Sequence, residues 1–375
     1  MLDVRSRALR LCLSVLVLLT LALPARAFDL ASAQADGRLV AQALAAGERG
    51  DWAAAQAMVA RADPLVRDIV LWRKLRDDAG TPAEFGDFVS RRASWPGQEI
   101  LRRVVLGVSD GRVGPPANDA AERARDVLRE TGPGPAYAIA AQHGMTPAAG
   151  YAYSHAEWVA GWIALTRLDD PARAVRHFHR FRESVETPIS VGRGGYWLGR
   201  AYEAAGNEAE ARRWYADAGR YQTSFYGQLA AARIGMPGDP QLAAAELPDW
   251  RTHPSMRSED VRLAAILHYA GEDSLAMQTF QHLGETLAAG ALAPLTGLAL
   301  ELGQHHYAVR IAKEAAARGV LIYPAYYPVH AIARYATKVE PALALSIARQ
   351  ETELNPRAIS HAGARGLMPL MPGTA

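Results

Sequence analysis

The sequence predicts an all-α protein built as a superhelical solenoid of stacked helix pairs, and three observations carry that prediction. From about residue 30 to 320 the chain is rich in Ala, Leu and Arg and poor in β-branched runs, which is a helical composition. Gly, Pro, Asp or Asn interrupts it every twenty or so residues, a spacing that suits helices of ordinary length. A turn residue followed by Ala five positions on and an apolar or aromatic residue four beyond recurs at Gly50/Ala55/Val59, Asp169/Ala174/Phe178, Gly206/Ala211/Tyr215, Gly271/Ala276/Phe280 and Gly303/Ala308/Ala312.

The physical content of that spacing is a helix, a turn and a second helix. The turn residue caps the first helix in a left-handed conformation, and the small Ala lets the second helix approach its neighbour. The clearest unit is "GYWLGRAYEAAGNEAEARRWYADAG", residues 195–219, in which Trp197, Leu198, Ala201 and Tyr202, and then Ala211, Trp214 and Tyr215, recur at helical spacing. Each such pair has two apolar faces and must stack. The intervals between units are irregular, so the expectation is a degenerate solenoid; an ordinary irregular helical domain is the alternative.

Before the first unit, Arg5, Arg7 and Arg10 precede the apolar run "LCLSVLVLLTLALP" and the small-x-small site Ala25-Arg26-Ala27. That layout predicts a secretory signal peptide over 1–27, cleaved after Ala27. The run is shorter than the ~20 residues of a spanning helix, which argues against a membrane anchor. Cys12, the single cysteine, lies inside the run. The expected mature chain has no thiol, and so no disulfide, Cys nucleophile or Cys-bound metal; no cofactor is called for. It would keep 37 basic and 38 acidic residues, a balance that does not ask for nucleic acid.

Breaks in the helical pattern are expected at "GVSDGRVGPPAND" (107–119), "TGPGPA" (131–136) and "GMPGDPQLAAAELPDWRTHPSM" (235–256). A domain boundary is expected within "GVLIYPAYYPVH" (319–330), where aromatics and prolines replace the Ala-rich helices. This gives a helical domain over 28–322 and a second segment over 323–375.

In that segment Pro341 can open a helix, and "PALALSIARQETEL" runs to the stop Asn355-Pro356. On a helical wheel Leu343, Ile347, Glu351 and Leu354 share an arc of about 80°, so Glu351 is expected on an apolar stripe that raises its pKa toward that of a general acid. Arg349 and Glu353, four apart, are expected to pair on the opposite side. The alternative for Glu351 is a helix-end carboxylate that reaches solvent, and the alternative for the Met-rich run 366–375 is simple core packing.

"IARQETELNPRAISHAGARGLMPLMPGTA" resembles the signature of the lytic murein transglycosylases, in which a Glu and a hydroxyl residue end a helix, Asn-Pro follows, and a Gly-Ala-x-Gly-Leu-Met segment comes next. "GDWAAAQAMVARADPLVRDIVLWRKL" and "YWLGRAYEAAGNEAEARRWYADAGRYQTSFYGQLAAARIG" resemble the helical part of the soluble, periplasmic members. The resemblance implies a U-shaped superhelix followed by the first part of a lysozyme-like catalytic domain. It implies that Glu351 is the catalytic acid, and that Thr352, Gly366, Met368 and Met371 line the cleft beside it. Pro369 departs from the family, which usually has Gln there.

The implied activity is cleavage, without water, of the β-1,4 bond between N-acetylmuramic acid and N-acetylglucosamine to leave a 1,6-anhydro ring. The implied partners are peptidoglycan glycan strands and other cell-wall enzymes, in the periplasm. A hydrolase would need a second carboxylate, whereas one Glu suffices for this reaction. From residue 325 only 51 residues remain, against on the order of 100 to 150 for a domain that buries its own core. The expectation is that the chain is truncated within this domain and its activity impaired. A non-catalytic helical scaffold that binds glycan strands or cell-wall proteins is the alternative.

Overall fold

The computed structural model describes residues 29–98, 101, 120–244, 246–335 and 338–374. The expected signal peptide and the break at 107–119 lie outside the described residues. Among the described residues every regular element is a helix, and no helix is long and apolar enough to cross a membrane. The chain divides into two compact units, residues 1–80 with 254–276, and residues 81–253 with 277–375.

In the first unit, α1 (Leu30–Gly47), α2 (Trp52–Met58) and α3 (Pro64–Arg76) each begin at an aspartate. The Asp29, Asp51 and Asp63 carboxylates accept from first-turn amides that have no partner inside the helix. A helix from far along the chain, Glu259–Tyr269, lies against α1 so closely that a Cβ on Gly37 would stand 2.5 Å from that of Tyr269. Arg262 on this helix fixes the register by pairing with Asp36 at 2.6 Å and Asp63 at 3.0 Å.

The second unit opens with α4 (Pro82–Arg91), which has a reciprocal cap: the Thr81 amide donates to Glu84 and the Glu84 amide to the Thr81 hydroxyl. Helix pairs follow: α5 (Ala120–Glu130) with α6 (Pro133–Ala141), α7 (Tyr151–Arg167) with α8 (Pro171–Glu183), and α9 (Pro188–Ala204) with α10 (Glu208–Gly219). The break at 131–136 shrinks to Thr131-Gly132, because Pro133 and Pro135 fall in the first turn of α6, where a missing N–H costs little. The break at 235–256 holds only short turns of helix. Beyond it α15 (Ala289–Glu301) and α16 (His305–Ala317) form another pair, after α11 (Phe225–Arg233), α12 (Gln241–Ala244), α13 (the Glu259–Tyr269 helix of the first unit) and α14 (Asp273–Thr286).

All five turn residues of the sequence pattern are left-handed, from Asp169 at φ +53° to Gly50 at φ +87°. The residues five and nine positions after each turn are all buried. The close contact between paired helices also uses a residue the pattern omits. A Cβ on Gly161 would lie 2.7 Å from the Phe178 ring, and one on Gly199 would lie 2.5 Å from the Tyr215 ring. The aromatic nine positions after the turn is seated on a glycine of the preceding helix. Ala211, packed with Tyr196, Tyr215 and Ala218, has no room to grow. Ala211→Leu is expected to cost roughly 1 to 3 kcal/mol, read as a lower melting temperature; an unchanged melt would count against this packing.

One polar cluster is sealed inside α6–α8. Glu157, 2% exposed, is bonded to the His177 ring at 2.6 Å and the His143 ring at 3.3 Å, and the other His177 nitrogen meets the Tyr137 hydroxyl at 2.9 Å. Burial alone would raise the Glu157 carboxyl, but His177, His143 and Arg180 together hold it below the usual carboxylate range.

Candidate active site

α17 (Tyr323–Tyr326) falls in the 319–330 stretch and belongs to the second compact unit. Its aromatics tie it to the loops on either side of α11: the Tyr323 hydroxyl donates to Asp239 at 2.5 Å and the Tyr327 hydroxyl to the Thr223 carbonyl at 2.9 Å. α18 (Pro341–Thr352) then starts as expected at Pro341, with Glu340 accepting from the Leu343 amide at 2.9 Å.

The helix ends two residues earlier than the wheel assumed. Glu353 and Leu354 are both left-handed, at φ +53° and +61°, and nothing in their side chains advertises it, since this conformation favours Gly and Asn. Two expectations about α18 fail. The face of α18 that is buried is Ala344, Ala348 and Thr352. The supposed apolar stripe faces outward, with Leu343 53% and Ile347 39% exposed, and Glu351 is exposed beside them. Glu351 thus lacks the desolvated setting expected of it and matches the solvent-reaching alternative. Leu354 reaches the core, at 2% exposure, only because the chain has left the helix.

The expected Arg349–Glu353 pair does not form either. The Arg349 guanidinium donates to the Tyr326 carbonyl at 2.6 Å and lies over the Tyr326 and Tyr327 rings. The turn swings Glu353 onto α16, where its carboxylate pairs with Lys313 and, at 3.1 Å, with Arg310. The Glu353 carbonyl accepts from His306 Nδ1 at 3.0 Å, so that ring nitrogen carries the proton. Glu353 is therefore engaged structurally.

Thr352 and the loop that follows are held together. The Thr352 hydroxyl lies 2.7 Å from the Leu367 carbonyl and 3.0 Å from that of Ala348, and Leu367 and Met368 pack on the cluster of Val309, Ala348 and Leu354. Gly363 and Gly366 are left-handed, at φ +87° and +89°, and the Gly366 amide donates to the Ala358 carbonyl at 3.0 Å. Arg365 and Leu370 exchange both backbone hydrogen bonds, at 2.9 and 3.2 Å. Pro369 stands inside the turn they close, where those bonds do not draw on its missing N–H. Met371 is 44% exposed. The structure thus gathers Thr352, Leu367 and Met368 at one place and leaves Glu351 and Met371 at the surface.

Sequence reasoning missed His306, Arg310 and Lys313, which hold the end of α18. They recur at i, i+4 and i+7 on one face of α16, but polar spacing of that kind usually marks a solvated face. Protonation of Glu353 and of His306 makes the attachment acid-sensitive. Burial raises the Glu353 carboxyl but Lys313 and Arg310 bring it below its ordinary 4.5, and burial lowers His306 from 6.5. Both groups have depressed folded values, so their stabilisation is complete above their ordinary values and is lost as pH falls, first below about 6.5 for His306 and then below about 4.5 for Glu353. Amide exchange across 352–354 is expected to lose protection in that order on acidification; protection independent of pH from 7 to 4 would contradict it.

Residues 329–375 match the family model of the transglycosylase SLT domain. The matched stretch is the terminal segment that carries the signature quoted from the sequence. No curated protein sequence matches the chain. Among solved structures, the 70 kDa soluble lytic transglycosylase from Escherichia coli is similar at 15% identity and a TM-score of 0.49, over 92% of this chain and 81% of that one. A complex of the 70 kDa soluble lytic transglycosylase with bulgecin A is similar at 18% identity and a TM-score of 0.44, over 91% of this chain and 65% of that one. An inactive variant of lytic transglycosylase Slt from Pseudomonas aeruginosa is similar at 17% identity and a TM-score of 0.43, with the same coverage, 91% and 65%.

Proposed function

We propose that this protein is a periplasmic peptidoglycan lytic transglycosylase. It would cleave the β-1,4 bond between N-acetylmuramic acid (MurNAc) and N-acetylglucosamine (GlcNAc) and leave 1,6-anhydro-MurNAc ends. The match of residues 329–375 to the SLT domain carries this reading. In it, residues 28–322 are the helical domain, 323–375 belong to the catalytic segment, and the first 27 residues direct export.

Glu351 is the acid that protonates the leaving glycosidic oxygen. As a carboxylate it then takes the proton from the MurNAc 6-hydroxyl, whose oxygen bonds to C1 of the same MurNAc in place of the departing GlcNAc oxygen, so no water is consumed. Thr352 acts as a positioning residue: its hydroxyl joins the end of α18 to the Leu367 carbonyl, which keeps Glu351 and the Gly366–Met371 loop in one register. Gly366, Met368 and Met371 form the neighbouring wall, and no cofactor takes part. Glu351 is exposed in this structure, and a bound glycan strand would take it out of water for the reaction.

The test is to incubate purified sacculi with the 375-residue chain, and with the same chain extended by the remainder of a related catalytic domain, and to look for 1,6-anhydro muropeptides by mass spectrometry. Anhydro products from either, lost on Glu351→Gln, support the assignment. Products that persist in Glu351→Gln remove Glu351 from the mechanism, and products from neither chain would leave the non-catalytic scaffold as the better reading.

A further inference from the structure

A groove of about 380 Å³ runs between α5 and α7, well away in sequence from the terminal segment, and is lined by Arg125, Leu128, Arg129, Trp158, Val159, Trp162 and Ile163. Its floor is aromatic: the Trp158 and Trp162 rings stand 6.5 Å apart and 21° from parallel. Arg193 of α9 lies on this floor, its guanidinium carbon 3.7 Å from the centroid of the Trp158 ring.

Arg193 is the unusual member. It is partly buried, and among the described residues no carboxylate pairs with it. Arg125 lies close enough to act on it as a like charge, and burial pushes its guanidinium below its ordinary value. A cation kept out of water beside a second cation is costly unless an anion meets it. Nearby donors are also unsatisfied: Arg193 Nε, Trp158 Nε1 and Trp197 Nε1 are buried and meet no acceptor. The Trp197 and Trp158 rings are 6.1 Å apart, so these three groups are neighbours. Arg125 meets the His155 ring at 2.7 Å and lies 3.6 Å from Glu122, and Arg193 meets the Tyr226 hydroxyl, yet no carboxylate among the described residues pairs with Arg193. A half-buried cation with unsatisfied donors beside it is complementary to a negatively charged ligand rich in acceptors.

The aromatic floor narrows the ligand further. A flat, C–H-bearing face packs well on indole, and a pyranose ring presents such a face together with many acceptor oxygens. Tyr151, 76% exposed, and Phe225, 68% exposed, extend the aromatic surface at the ends of α7 and α11. Tyr151 lies within electrostatic reach of Arg193, and Phe225 meets Tyr226 edge-on, the Tyr226 ring being 5.8 Å from the same guanidinium.

We infer that the α5–α7 groove is a second glycan site, which takes a carboxylate-bearing saccharide with its sugar ring on Trp158 and Trp162 and its carboxylate against Arg193 and Arg125. Given the reading of peptidoglycan as the substrate, on which this inference rests, the ligand is a muramyl peptide unit of the strand, whose stem peptide supplies the carboxylate. The site would hold a strand at a distance from Glu351 and needs no chemistry of its own.

The experiment is calorimetric titration of the full chain with three probes: the disaccharide GlcNAc–MurNAc-tripeptide, the neutral oligomer chitotetraose, and the free tripeptide. The disaccharide tripeptide is expected to bind at least tenfold more tightly than either of the others. Arg193→Met, which keeps an apolar stem on Trp158, is expected to weaken it at least tenfold, and Arg125→Gln, at a half-buried position, severalfold, with melting curves showing that both variants fold. Glu351→Gln should leave this binding unchanged. Equal binding of the peptide alone, or of chitotetraose, would overturn the proposal, as would full affinity in both arginine variants. Binding lost in Glu351→Gln but kept in the arginine variants would place the ligand at the terminal segment, which would defeat this inference and leave the proposed enzyme standing.

Discussion

Glu157→Ala is expected to destabilise the second unit by about 3 to 5 kcal/mol, the cost of removing one partner from a buried, hydrogen-bonded charge cluster. Glu157 is 2% exposed and lies at the centre of a chain of contacts through His177 to Tyr137 and through His143 to the loop after α6. Without the carboxylate, the His177 and His143 rings are left in a space closed to water, and each loses a partner it cannot replace. Replacement by Gln, which keeps the shape and one acceptor, should cost less. Denaturant unfolding of the two variants checks this: a loss below 1 kcal/mol for Ala, or no difference between Ala and Gln, would mean that the cluster contributes little beyond its volume.

The second large effect is expected at Leu354. Leu354→Ala removes a side chain that is 2% exposed and packed with Val309, Ala348, Leu367 and Met368, and a deletion of that kind costs about 2 to 5 kcal/mol. Its consequence is local. The chain turns inward at Glu353 and Leu354, so loss of this contact frees the end of α18 and the Gly363–Leu370 loop together while the helix pairs stay folded. Proteolysis that cuts near residue 352 well before it cuts elsewhere would be the result; uniform loss of stability would show that the end of α18 belongs to the global unfolding unit.

How much of this was legible in the sequence differs sharply between the solenoid and the site. Gly50, Gly206, Gly271 and Gly303 announce left-handed turns because glycine alone adopts that geometry freely, and Asp169 is a tolerated substitute. The buried Ala and aromatic positions then follow at fixed offsets, since helical periodicity is a local property. The seats at Gly161 and Gly199 were not legible: glycine inside a helix reads as a weakness until the facing ring is known. Around Glu351 the limit was different. The wheel was drawn through Leu354, yet two non-glycine residues in the left-handed region end the helix at Thr352. They do so because distant groups, His306, Arg310 and Lys313 on one side and Val309 on the other, stabilise the turn. Such long-range compensation leaves no mark in the local pattern, so the family signature could point to Glu351 while periodicity assigned it the wrong surroundings.

The anchoring of Glu353 gives α16 a remote hold over the proposed acid. Glu351 is two residues from a backbone carbonyl and a carboxylate that are both fastened to α16, some forty positions earlier in the chain. Any change that slides or rotates α16 is transmitted as a rigid displacement of the last turn of α18, much as moving a hinge pin moves a door. Substitutions at Arg310 or Lys313, or a molecule wedged beside them, would therefore retune the placement of the acid without touching the glycan. That makes the outer face of α16 a point of leverage on the reaction that is free of the demands of substrate shape.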